Sequence, residues 1–156
     1  MSQYDWGNWR PGNSRAGSKA KNGDWLAYGF KKQGVRMPDI DPKLLDSVVK
    51  IIEEELSKGS AQTTFIKRVK NELGLEKQDA EVLICFGSAL ATEESNMNDY
   101  LESSVETVVW LGGGCCSVCD KNDGKVIPIN QPFPSGHFLP PACSSCICTI
   151  SPHVEY

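Results

Sequence analysis

The sequence predicts an α+β fold: three helices followed by a small β-hairpin or zinc-ribbon module, with an extended N-terminal arm. Three observations predict it. Apolar residues recur at helical spacing from residue 41 to about residue 103. The pattern then switches to a β-branched stretch, VETVVWL, over residues 105–111. Finally, six of the seven cysteines fall between residues 115 and 149. The expected organisation is an arm over 1–37, a helical region over 38–104, a β-ribbon with the cysteine cluster over 105–152, and a tail over 153–156.

The arm is rich in Gly, Ser, Asn and Lys and shows no apolar period. It carries seven basic residues (Arg10, Arg15, Lys19, Lys21, Lys31, Lys32, Arg36) against Asp5 and Asp24, a balance of +5. The overall charge of −4 therefore leaves −9 on residues 37–156. A basic arm suits nucleic acid or an acidic protein surface, and equally suits a solvated tail. Six of the thirteen aromatics, including Trp6, Trp9 and Trp25, lie in it. Inert tails are poor in aromatics, so these rings either dock on a partner or pack back on the domain.

Asp41 and Pro42 form a helix start, because Asp can cap and Pro tolerates the first turn. Leu44, Leu45, Val48, Val49, Ile52 and Leu56 follow on one face, and Gly59 ends the run. A second helix begins near Ser60, buries Phe65, Ile66, Val69 and Leu73, and stops at Gly74. A third runs from Lys77 to about Ser103, with Gly87 and Ser88 as a candidate kink. Cys85 on this helix reads as a small buried hydrophobe. After the strand and the glycines at 112–114, NDGK (122–125) is a hairpin signal leading into KVIPI, where Pro128 confines the strand to an edge. The segment from Gln131 to Pro152 is proline-rich and must be an extended loop pinned by its cysteines.

No segment resembles a signal peptide and no apolar run approaches the ~18 residues of a membrane span. The expected setting is therefore reducing, where clustered cysteines are metal ligands more often than disulfides. Cys116-x-x-Cys119 and Cys143-x-x-Cys146, separated by 23 residues, offer four thiolates to one tetrahedral ion, expected to be a structural Zn2+. Cys115 is an alternative to Cys116, Cys148 to Cys146, and His137 to one thiolate. Disulfides in an extracellular particle are the other reading. No catalytic residue is assigned: the cysteines lack an oriented His–carboxylate partner, and four thiolates leave zinc no open position. Metal binding would instead supply folding free energy, about 10 kcal/mol or more, to a module with little core of its own.

The order of these features resembles the phage Mu F-like head-morphogenesis family, the minor head proteins of tailed bacteriophages. The resemblance rests on SKGSAQTTFIKRVKNELGLEKQDAEVLI, a long helix, VVWLGGGCCSVCDKNDGKVIPI, a proline-rich loop and PPACSSCICTI, over residues 41–152. Trp110, Cys116, Cys119, Asp123, Gly124, Lys125, Val126, Cys146, Cys148 and Thr149 fall on the family's motif positions. Cys143 stands where relatives place a histidine, which keeps a zinc-type ligand there. Ile147 replaces an arginine, and CFGSA (85–89) replaces the family's R-T-E segment, whose role is not carried over. The resemblance implies a low-copy structural protein of the virion head, made in the host cytoplasm. It would associate with the portal or major capsid protein and act in head morphogenesis, with DNA packaging or ejection as further roles. Packaged DNA would be reached through the arm, with no membrane or small-molecule substrate involved. The alternative is a stand-alone zinc-ribbon nucleic-acid-binding or regulatory module. Against it, the clasp offers only Lys121 and Lys125 as basic residues.

Overall fold

The computed structural model describes residues 22–112, 116–144 and 146–153. Four long helices come first: α1 (Gly23–Gln33), α2 (Lys43–Lys58), α3 (Gln62–Leu73) and α4 (Lys77–Glu102). A strand β1 (Thr107–Leu111), a short helix α5 (Ser117–Asn122), and strands β2 (Val126–Pro128) and β3 (Thr149–Pro152) complete the order. The α+β class and the three helices read from the sequence are present. The extended arm, expected as far as residue 37, is corrected from Gly23 onward.

Helix α1 replaces that part of the arm. The Asn22 side chain accepts the Trp25 amide at 3.2 Å and caps the start. Gly34, at φ 72°, ends the helix by turning its own amide and that of Val35 back to Lys31 O and Phe30 O. Trp25, Leu26, Phe30 and Gln33 are buried along one face. Its stripe was hidden because two of its buried positions are glycines and a third is glutamine. Gly23 is one of them: a Cβ there would meet Asp46 Oδ1 and Leu45 Cβ at 2.8 Å. The close approach lets the Gly23 amide donate to Asp46 at 2.6 Å, which docks α1 on α2.

The other helices follow their sequence signals closely. Asp41 caps α2 from just outside it, its carboxylate accepting the Lys43 amide at 3.0 Å. Gly59 and Gly74, at φ 69° and 67°, close α2 and α3. Buried Glu55 of α2 meets Arg68 of α3 at 3.0 Å, and Arg68 also reaches Glu54 and Glu72. The Ser60 hydroxyl and then Arg68 hold the Glu55 carboxyl below its ordinary value. Helix α4 continues through Gly87 and Ser88 as one element. Gly87 serves packing: a Cβ would lie 2.6 Å from the Ile52 methyl, so its absence lets α2 approach α4. Phe30 and Phe86 stack with centroids 4.0 Å apart, seating α1 on the same helix.

The sheet has the order β2-β1-β3, antiparallel throughout. Val108 and Trp110 of the central strand face inward, while Thr107 and Val109 are half-buried and Leu111 is exposed on the other face. NDGK does not turn a hairpin between adjacent strands. Asn122 ends α5 and Gly124, at φ 74°, turns the chain into β2, with its amide on Trp110 O at 2.8 Å. The turn chemistry is as read; the element before it is a helix, because the C-x-x-C segment coils. Strand β3 rests on α4, where Tyr100 Oη donates to Ile150 O at 3.0 Å and the Ile150 amide donates to Glu93 at 3.4 Å. One hydrophobic core runs from Trp25 through the helices to Trp110, Cys119 and Ile150.

Two outcomes are expected. Trp25→Ala removes a fully buried ring and should cost about 3–5 kcal/mol, measured by denaturant unfolding. Burial pushes the Glu93 carboxyl up from its ordinary 4.5, against hydrogen bonds from Thr149, the Ile150 amide and Asn96. The folded state then binds more protons than the unfolded one above pH 4.5, so this group's contribution to stability falls as pH rises through the raised value. Glu93→Gln should therefore gain stability relative to the parent as pH increases from 4.5 to neutrality; a pH-independent difference between the two proteins refutes it.

Candidate metal centre

Cys116 sits at the N-cap of α5 in extended conformation and Cys119 lies in its first turn. This coil brings the two sulfurs to 3.4 Å and lets the Cys119 amide donate to Cys116 Sγ at 3.4 Å. Cys119 is fully buried, and its sulfur also lies 3.5 Å from that of Cys146. Among the described residues the sulfurs gather as two triads, Cys116–Cys119–Cys143 and Cys119–Cys146–Cys148. Within each triad all sulfurs lie within 4.8 Å of one another. Four thiolates around one zinc at about 2.3 Å stand about 3.8 Å apart, so these spacings suit metal ligation. The 3.4 and 3.5 Å sulfur separations are far from the ~2.05 Å of a disulfide bond.

The four cysteines assigned from the sequence all fall within these two triads, but Cys143 and Cys146 fall in different ones, and Cys148 groups with Cys146. Cys115 lies outside the described residues. The strand end positions Cys148. Gly112, at φ 136°, follows β1, and a Cβ there would stand 2.6 Å from Cys148 Sγ and 2.9 Å from its Cα. Only glycine admits this approach. Cys148 is buried, whereas Cys116, Cys143 and Cys146 are half-buried. Clustered cysteines of this kind can hold a metal ion. Cys85 lies apart on α4, with its thiol 3.7 Å from Gln62 Oε1 and its pKa raised by burial, then by Glu81.

His137 is drawn away from the cluster. Its Nε2–H donates to Gln33 O at 2.9 Å and its Nδ1 accepts from the Ser135 hydroxyl at 2.7 Å. Both ring nitrogens are therefore engaged, and its place as a substitute ligand is corrected to that of a hydrogen-bonding spacer. The same network reaches α5. Fully buried Asn122 donates to Ser135 Oγ at 2.7 Å and accepts the Ser135 amide at 3.1 Å. Gln33 donates to Leu139 O at 2.8 Å and Pro141 O at 3.0 Å. Sequence reasoning missed Gln33, Asn122 and Ser135, because isolated polar residues announce no partner along the chain.

The proposed contact residues of the arm divide. Trp25 is withdrawn as a partner contact: its ring is buried and its Nε1–H donates to Glu94 at 3.0 Å. Lys31, Lys32 and Arg36 are exposed at and just beyond the end of α1. Trp6, Trp9, Arg10, Arg15, Lys19 and Lys21 lie outside the described residues. Among the described residues no helix is long and apolar enough to cross a membrane. Compared with models of protein families, with curated proteins and with solved structures, the chain finds no match.

Because Cys119 belongs to both triads, Cys119→Ser should abolish metal binding and loosen the C-terminal half. Metal analysis and faster amide exchange over β1 and β3 would register it; full metal content with unchanged exchange refutes the assignment. Asn122→Ala leaves the Ser135 amide and hydroxyl without their buried partner and should cost about 1–3 kcal/mol in denaturant unfolding.

Proposed function

We propose that this chain is a structural protein whose C-terminal half is clasped by zinc-bound thiolates, and that it serves as a minor head protein of a tailed bacteriophage. The observation that carries the clasp is the convergence of cysteines from α5 and from the segment before β3 on the buried Cys119 sulfur. The phage role is supported by the order of features along the chain, from the glycine-closed helices to the Trp110 strand and the two cysteine pairs. The clasp closes a fold whose described surface carries no assigned chemistry. Its work is then to present a rigid body to the portal or capsid protein, or to DNA. Burial of Trp25 moves the contact onto Arg10, Arg15, Lys19 and Lys21 with Trp6 and Trp9, beside exposed Lys31, Lys32 and Arg36.

Zinc analysis of the protein purified from phage-infected cells, together with fractionation of heads and portal rings, tests both halves of the proposal. Bound zinc and co-purification with heads are expected. A metal-free protein absent from heads and portal rings overturns it. Replacing Arg10, Arg15, Lys19 and Lys21 together with alanine should lower incorporation into heads while leaving the zinc content unchanged. If the contact is to DNA, the parent protein's affinity should fall steeply with salt, since each phosphate contact releases a counterion. Normal incorporation of the substituted protein removes the arm from the proposal.

A further inference from the structure

Five described sulfurs converge where one tetrahedral zinc needs four. They also do not form a single group. Cys116 and Cys143 group with Cys119 in one triad, Cys146 and Cys148 group with it in the other, and the triads share only that sulfur. We propose that Cys119, Cys146 and Cys148 form a second metal position, so that the cluster takes two thiophilic d10 cations bridged by the Cys119 thiolate. This rests on the reading of the cluster as a metal site and adds to it the number of ions and the bridge.

Three observations carry it. The Cys116–Cys119 and Cys119–Cys146 separations, 3.4 and 3.5 Å, are similar on the two sides of the shared sulfur. Both are close to the about 3.8 Å edge of a thiolate-bound zinc, so each side supplies three thiolates at ligand spacing, and water would complete the fourth position of each ion. A thiolate keeps lone pairs after binding one ion and can donate another to a second. Cys119 is the right residue for that role, being central and fully buried. Finally, Cys148 is held in place by the approach that Gly112 permits and by the strand that begins at Thr149.

Soft thiolate donors select zinc, cadmium and copper(I) over oxygen-seeking cations, which fixes the class of ion.

The test is anaerobic titration of the reduced, metal-free full-length protein with Cd2+, followed by sulfur-to-metal charge-transfer absorbance and native mass spectrometry. The absorbance should rise to an end point of two ions per chain. With 113Cd, two resonances coupled to each other are expected, since coupling requires a bridging atom. Cys148→Ser should bind one ion, and so should Cys143→Ser, which spares the second triad; the pair guards against one variant simply failing to fold. An end point of one ion in the parent protein overturns the second position while leaving the zinc clasp intact. No binding at all overturns both. Two ions retained by Cys148→Ser, or two uncoupled resonances, place the second ion elsewhere and also overturn the proposal.

Discussion

The convergence of cysteine sulfurs on buried Cys119 is the constraint on which the C-terminal half depends. Among the described residues between Leu111 and Thr149, the regular elements are the short helix α5 and the three-residue strand β2. Regular backbone hydrogen bonding therefore cannot hold this stretch. Phe133, Leu139 and Ala142 contribute to the core, but the path between them is proline-rich and irregular. Three points of this stretch meet instead at the cysteine cluster: the start of α5, the loop at Cys143 and the approach to β3. With those points set, Trp110 can lie in the centre of the sheet with Phe133 edge-on at 5.0 Å.

A second layer of interactions ties this module to the helices, and it is polar. Asn122, Ser135, His137 and Gln33 hand hydrogen bonds from α5 across the proline-rich loop to α1. Gln33 then holds that loop again through Leu139 and Pro141. Such a network is worth most when every member is satisfied, because an unpaired amide in the same place would cost more than the bond contributes. From the other side, Glu93 and Tyr100 of α4 grip the backbone of Ile150. The cysteine module is thus bound to the helical body at both ends, and a shared apolar core lies between.

This construction fits a protein that acts by shape and contact. His137 has both ring nitrogens engaged and Cys119 is sealed from solvent. A rigid clasp near one end, with exposed basic residues near the end of α1, suits the structural role in a phage head proposed above.

The sequence by itself determined the features that are written locally. Gly59 and Gly74 stop their helices because each adopts a positive φ that other residues resist, and Asp41 caps because its carboxylate reaches an amide two residues on. Cys116-x-x-Cys119 announced the cluster because its spacing places two sulfurs 3.4 Å apart. Tertiary structure decided what depends on distant partners. Helix α1 was unreadable as a docked element because Gly23 and Gln33 look polar or neutral until Asp46, Leu139 and Pro141 are known to face them. Trp25 looked available to a partner until Glu94, 69 residues away, took its indole N–H. The grouping of five sulfurs about Cys119 was likewise undecided, since spacing brings Cys116 and Cys119 together, whereas the folded path of the loop parts Cys143 and Cys146 into different triads.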